Sequence, residues 1–320
     1  MHVRVRDGGQ MAVGQDLVHA QSTRFASVDP LLPAAGPPPD GDVITAALPD
    51  GRRVAGVLVR QVYGPGSLPS LWSAREVWEL APLIGEHGGS ALDALLRAWR
   101  QRMDRTGAPG QDSACVVTWP SRDVEATRAL LDHGFVPLSV IAVRPSAPPP
   151  TVEPAPLVTF RRAGIRDLET VLQLGLLELR YSALVGGTVL REDAAELKRA
   201  TLQERLGAGE PTWLAEREGI ALGMAECGWA ESAPGTWTAT RLPHGRWGYV
   251  NCASVAPGAR GTGIGQQLMA VVHRELTEGG VRGTYLYYNP ANPLSSVFWA
   301  RQGYRPLWTI WEVRPAGALR

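Results

Sequence analysis

Four residues with the means to hold an anion stand close together. They are Arg260, Gly261, Gly263 and Gly265, within SVAPGARGTGIGQQL (Ser254–Leu268). A strand-like run, RWGYVNCASV (Arg246–Val255), comes before them and is stopped by Pro257 and Gly258. A helical pattern follows at once, with Ile264, Leu268, Val271, Val272 and Leu276 on one face. A helix N-terminus carries unpaired N–H groups and a partial positive charge. Glycines there let backbone approach an anion with no Cβ in the way. The chemistry this element suits is the grip of a pyrophosphate. Two familiar pyrophosphate loops are excluded by spacing. There is no Gly-Lys-Ser/Thr, and the glycines alternate where a dinucleotide fingerprint needs G-x-G-x-x-G.

Arg-x-x-Gly-x-Gly, with Val255-x-Pro257 upstream, resembles motif A of the GNAT acyl-CoA-dependent N-acyltransferases. Downstream, LYYNPANPLSSVFWARQGYRPL (Leu286–Leu307) resembles the second half of that family's pattern, Asn-x-x-Ala-x-x-Phe-Tyr and then Gly-Phe. The matching positions are Asn292, Ser295, Phe298, Trp299, Gly303 and Tyr304. The likeness extends over roughly Val158–Arg314. It implies a mixed sheet flanked by helices, whose central strands splay near Val255 around an acyl-CoA thioester. It further implies that backbone of Ala253, Ser254 and Val255 pairs with pantetheine. The N–H groups of Arg260, Gly261, Thr262, Gly263, Ile264, Gly265 and Gln266 would cradle the pyrophosphate. Asn292 would bond the pantetheine arm and Phe298 would pack beside it. The implied reaction moves an acyl group, acetyl first, from coenzyme A to a primary amine of a small molecule or peptide.

Such a transfer needs two partners held close, N–H donors for the developing oxyanion, and a proton acceptor. Many family members place a tyrosine acid where this chain has Trp299, whose indole only donates a hydrogen bond. Release of the thiolate without an acid is chemically tolerable. Ser295 and Tyr288 are the substitutes within reach, with packing or capping as their plainer roles. Glu226, on the strand before the Gly-loop strand, is the first choice of base, against a plain solvent-facing residue. Tyr249 stands where some members place a glutamate base, but a tyrosine of pKa about 10 is a poor one. His244 reads as a solvated loop residue. A second class of function therefore stays open: a non-catalytic acyl-CoA-binding or interaction protein on the same scaffold. A third, aminoacyl transfer from charged tRNA, is weighed against by the near-neutral charge.

The elements that must position these residues recur twice. HGFVPLSVIAVRP (His133–Pro145) and QGYRPLWTIWEVRP (Gln302–Pro315) share Gly-aromatic-x-Pro-Leu-x-x-Ile, with Gly134 and Ile141 matched by Gly303 and Ile310 at one offset, and then Val-Arg-Pro. Helical patterns at Ala91–Met103 and Ile264–Leu276, each followed by a β-rich run, precede them. Hairpins are expected over Asp42–Val62, turning at Asp50-Gly51, and over Thr212–Trp229, turning near Glu218-Gly219. Two helices are expected over Asp167–Ala183 and Arg191–Leu206. The first forty residues read as too short and Pro-rich for a matching helix pair. The expected fold is α/β (α+β), with two tandem GNAT-like domains, each a mixed, largely antiparallel twisted sheet flanked by helices. Residues 1–145 form the degenerate copy, 146–156 a Pro-rich linker, and 157–320 the acyl-CoA-binding catalytic domain.

The first copy lacks the arginine, and Leu80-Ala81-Pro82 is set against Val255-Ala256-Pro257. Asp123 replaces Asn292 there and would repel a polyanion. The two copies are expected to pair as a pseudo-dimer within a monomer. Composition agrees with a globular chain: 44% hydrophobic, 20% charged, formal net charge +1. No nucleic-acid or membrane partner is expected from that charge. Three scattered cysteines without CxxC spacing point to neither metal nor disulfide, and to the reducing cytoplasm. The tryptophans read as core, with Trp229, Trp237 and Trp247 as possible edges of a substrate cleft.

Overall fold

The computed structural model describes residues 8–106, 109–147 and 157–320; most of the Pro-rich linker, 148–156, lies outside them. In chain order the first part comprises α1 (Gly8–Val28), β1 (Asp42–Ala47), β2 (Arg53–Val62), β3 (Glu76–Leu83), α2 (Gly88–Thr106), β4 (Ser113–Pro120), α3 (Val124–Asp132) and β5 (Val136–Pro145). The second comprises β6 (Thr159–Arg162), α4 (Leu168–Leu184), α5 (Ala194–Gly207), β7 (Thr212–Arg217), β8 (Ile220–Ser232), β9 (Gly245–Val255), α6 (Ile264–Glu278), β10 (Gly283–Tyr288), α7 (Pro293–Arg301) and β11 (Arg305–Val313). The hairpins turn as expected, through Gly51 (φ 84°) and through Glu218 and Gly219 (φ 51° and 77°).

The two expected sheets are joined edge to edge. The strand order is β1-β2-β3-β4-β11-β5-β10-β9-β8-β7-β6. Among the described residues only β3/β4 and β9/β10 are parallel, as a helix crossover between neighbours requires. The join is reciprocal: β11, the last strand of the second repeat, pairs with β4, and β5, the last of the first, pairs with β10. The two exchanged strands then pair with each other, antiparallel. Each follows a short helix through a left-handed glycine, Gly134 (φ 85°) or Gly303 (φ 86°). The exchange carries Trp308 and Trp311 of β11 into the core built around Leu92, Leu95, Leu96 and Trp99 of α2. A second core surrounds α6, and a third lies between α4, α5 and the β7–β9 region.

Among the described residues the N-terminal segment has no helix pair, but it does have one long helix. It holds α1, a helix of 21 residues that Pro-rich sequence follows but does not enter. Its buried stripe is Leu17, Gln21 and Phe25, spaced by four. A glutamine in the middle of that stripe hides the apolar period. Phe25 packs edge-on against Trp119 and Trp308, with ring centroids 5.5 and 5.4 Å away. Arg305 of β11 donates to Asp29, just past α1, at 3.0 Å, so the first helix is tied to the last strand.

Candidate active site

The parallel ladder between β9 and β10 has three rungs and ends at Val250↔Leu286. Beyond it β9 stays with β8 as far as Val255↔Gly223, while β10 stays with β5 through Tyr288↔Val140. The sheet therefore opens into a gap, and the edge of Asn251–Val255 facing β10 has no strand beside it among the described residues. A bulge sets the opening. Cys227 pairs with Val250 and Glu226 with Cys252, which leaves Asn251 as the extra residue of β9. The splay thus begins five residues earlier than Val255.

At the end of β9 a 3-10 turn over Pro257–Ala259 leads into the Gly loop. Gly261 (φ 78°) and Gly263 (φ 84°) are left-handed, and a Cβ on either would meet nothing within 4 Å. The cradle is open, and its shape needs glycine for conformation rather than for room. Gly263 caps α6, so the amides of Ile264, Gly265 and Gln266 form the unpaired first turn. Gly265 differs, since a Cβ there would lie 3.3 Å from the Phe298 ring. Thr262 Oγ donates to the Ala259 carbonyl at 2.7 Å, and Arg260 Nε to the Val255 carbonyl at 3.1 Å. The Arg260 guanidinium lies 5.3 Å from the centre of the Tyr181 ring of α4.

Asn292 is the N-cap of α7, its carbonyl oxygen accepting from the amides of Leu294 (3.0 Å) and Ser295 (3.2 Å). That leaves its amide nitrogen as the end with which to meet a ligand. Ser295 Oγ turns back onto the carbonyls of Asn292 (3.3 Å) and Asn289 (3.5 Å), a capping arrangement. Phe298 is half-buried, and Trp299 is buried edge-on against Phe298 and Tyr304. The residue in the acid's place is thus a core side chain. Tyr288 is half-buried on β10, and burial raises its pKa. His244 contributes only its carbonyl, which accepts from Arg282.

Glu226 is not solvent-facing. It is 1% exposed, with Lys198 Nζ of α5 at 3.7 Å from Oε1 and Arg205 Nη1 at 3.3 Å from Oε2. Asn251 Nδ2 donates to Glu226 Oε2 at 3.0 Å, and the Tyr249 hydroxyl donates to Asn251 Oδ1 at 3.0 Å. Burial, together with Tyr285, drives the Tyr249 pKa well above its ordinary value. Burial alone would lower the pKa of Lys198, but Glu226 beside it gives a net rise. This buried cluster holds the bulge in place. Next to it opens a cleft of about 390 Å³ lined by Arg205, Glu210, Gly228, Trp229 and Tyr249. The three tryptophans weighed as cleft edges divide: Trp247 is in the core, Trp229 is exposed, and Trp237 is 52% exposed and stacked 6.3 Å from Tyr287. All three cysteines are buried, and burial pushes the Cys115 and Cys227 thiols up to about 12.

The first repeat has the same gap, filled from within. Its parallel ladder ends at Leu80↔Val117, as the ladder of the second repeat ends at Val250↔Leu286. Beyond that rung Gln21 of α1 pairs with the freed edge. Its Nε2 donates to the Pro82 carbonyl at 3.1 Å, and the Ile84 amide donates to its Oε1 at 2.9 Å. Glu125 occupies the glycine cradle, where a Cβ on Gly88 would fall 2.1 Å from its Oε2. Asp123 caps α3 as Asn292 caps α7, and it is not a bare repulsive charge, because Arg24 donates to it at 2.7 and 2.9 Å. No strand period or glycine motif could have exposed this internal occupant. The signal was a polar residue in a buried helical stripe.

Residues 180–304 match the model of the acetyltransferase (GNAT) family. Among solved structures, a GCN5-related N-acetyltransferase from Sphaerobacter thermophilus is 14% identical and matches 95% of this chain and 93% of its own, with a TM-score of 0.54. A GCN5-related N-acetyltransferase from Ralstonia eutropha JMP134 is 26% identical over 47% of this chain and 93% of its own, with a TM-score of 0.37. A tandem GNAT protein from the clavulanic acid biosynthesis pathway is 16% identical over 98% of this chain and 97% of its own, with a TM-score of 0.48. No curated protein matches the sequence significantly. Among the described residues no helix is long and apolar enough to cross a membrane. Residues 180–304 form a domain of the acetyltransferase (GNAT) family, in a chain that shares its fold nearly end to end with the Sphaerobacter thermophilus protein.

Proposed function

We propose that the chain is an acyl-CoA-dependent N-acyltransferase, with acetyl-CoA as the first donor to test and a primary amine of a small molecule or peptide as acceptor. One observation carries the reading. The edge of Asn251–Val255 that no strand joins among the described residues leads, through one 3-10 turn, into an open cradle of left-handed glycines at the start of α6. A strand edge suits the amides of pantetheine, and the cradle suits its diphosphate. Ala253, Ser254 and Val255 take the first role, and residues 260–266 the second. The Asn292 amide and the Phe298 ring flank them. Coenzyme A supplies the activated thioester; the protein supplies position, exclusion of water and N–H donors. Glu226 acts as a positioning residue through Asn251. Thiol release from acetyl-CoA across a panel of alkyl, polycationic and peptide amines tests the reading, and no release with any of them sinks it.

A second reading, coenzyme A binding without transfer, is favoured by the burial of Trp299 and by the raised pKa of Tyr249, which keeps its hydroxyl protonated. Saturable binding without thiol release is its signature. Both readings assign the cofactor to the second repeat alone, since Gln21 and Glu125 occupy the first. Titration calorimetry with coenzyme A is expected to give one site per chain. Gln21→Ala is expected to lower the melting temperature, by leaving Pro82 and Ile84 unpaired, without changing the acyl-transfer rate. Two sites in the unmodified protein would contradict the assignment.

A further inference from the structure

We propose that Glu178 of α4 takes the proton that the acceptor ammonium must lose; the proposal rests on the acyl-transfer reading above. Two contacts and one electrostatic coupling place this part of α4 over the gap. Tyr181 lies under Arg260 of the Gly loop, 5.3 Å from its guanidinium. Gly187, just past the helix, sits against Asn289 at the end of β10, where a Cβ would fall 2.9 Å from Nδ2. Glu178 itself acts electrostatically on Cys252, the first β9 residue after the bulge. The end of α4 therefore bridges the diverging ends of β9 and β10, and Glu178 and Ser182, one turn apart, share a face. Ser182 Oγ donates to Glu178 Oε1 at 2.5 Å, which holds the carboxylate in place. Glu178 is half-buried, whereas Glu226 is closed off and bound to two cations.

The charged and titratable groups facing Glu178 are Lys198 from α5, Glu226 from β8 and Cys252 from β9, with Arg205 behind Glu226. Burial raises its pKa; Ser182 and Lys198 oppose the rise, and Glu226 adds to it. A carboxylate with a raised pKa is a better match for an ammonium proton than an ordinary one. The balance is complete. One N–H proton passes to Glu178, the freed nitrogen bonds to the acyl carbon, and the C–S bond breaks. The sulfur leaves with the second N–H proton as the thiol, and Glu178 returns its proton to water.

Glu178→Gln keeps the size of the side chain and can still accept from Ser182. With any amine that the unmodified protein acetylates, kcat/KM is expected to fall at least about 100-fold. Coenzyme A affinity should stay within about twofold, and the rise of rate with pH should be lost, while Glu178→Asp keeps part of that rise. A readout free of turnover is carbon-13 glutamate NMR of the whole chain. The resonance missing from Glu178→Gln should titrate above the ordinary carboxylate range. Acetylation by Glu178→Gln at close to the original rate, or a missing resonance that titrates normally, overturns the proposal. No thiol release by the unmodified protein overturns the acyl-transfer reading instead, and the base assignment falls with it.

Discussion

Gly263→Trp is expected to weaken coenzyme A binding at least about 100-fold and to abolish thiol release. Hydrogen bonds to a charged group contribute about 1.5–3 kcal/mol each, and loss of one or two of them spans roughly tenfold to more than ten-thousandfold in affinity. The substitution acts twice. It places an indole in the open cradle, and it forces a side chain into φ 84°, which costs about 1–3 kcal/mol. The second effect has its own control. Gly51 has the same φ and the same free space, at the β1–β2 turn far from the gap. Gly51→Trp should lose a similar few degrees of melting temperature and keep its binding. If both variants bind coenzyme A like the parent, the diphosphate does not rest on this loop.

Glu226→Ala is expected to be strongly destabilising, by about 3–5 kcal/mol, because it takes from buried Lys198 its ion-pair partner, while Arg205 keeps Glu210 at 2.8 Å. For a chain of 320 residues that corresponds to a fall of roughly 5–7 °C in melting temperature. Removing the carboxylate also frees Asn251, so transfer should drop even at temperatures where the variant is folded. A double variant, Glu226→Ala with Lys198→Met, should recover much of the stability and little of the rate. That split separates the support of the fold from the shape of the bulge. A melting temperature unchanged in Glu226→Ala would refute the account of the cluster given above.

The sequence makes the repeating units readable because their signals are local. The hairpins turn on glycine, α2 and α6 show clean apolar stripes, and the Gly loop announces itself by spacing. The exchange of β5 and β11 is not local. The two strands share a motif, so a pattern argument accepts either one in either place, and only the assembled sheet distinguishes them. The helix α1 was hidden because Gln21 interrupts its apolar face while meeting two backbone groups. The site divides the same way. Arg260–Gln266 and Asn292 were legible as motifs. The bulge at Asn251 was not, since a single extra residue leaves no mark on a strand's composition. In the sequence Glu178 is one more position of a leucine-rich helix, because its meaning lies in what α4 crosses rather than in its own neighbours.

The crossing of the terminal strands bears on why a copy with no vacancy for a ligand persists. Along the gap, where β9 has departed, β10 leans on β5, a strand lent by the first copy. The copy whose glycine cradle Glu125 fills thus furnishes, through β5, one wall of the gap proposed to hold coenzyme A in the other. Shedding it would take β5 from β10 and leave the second copy with an open seam along that gap.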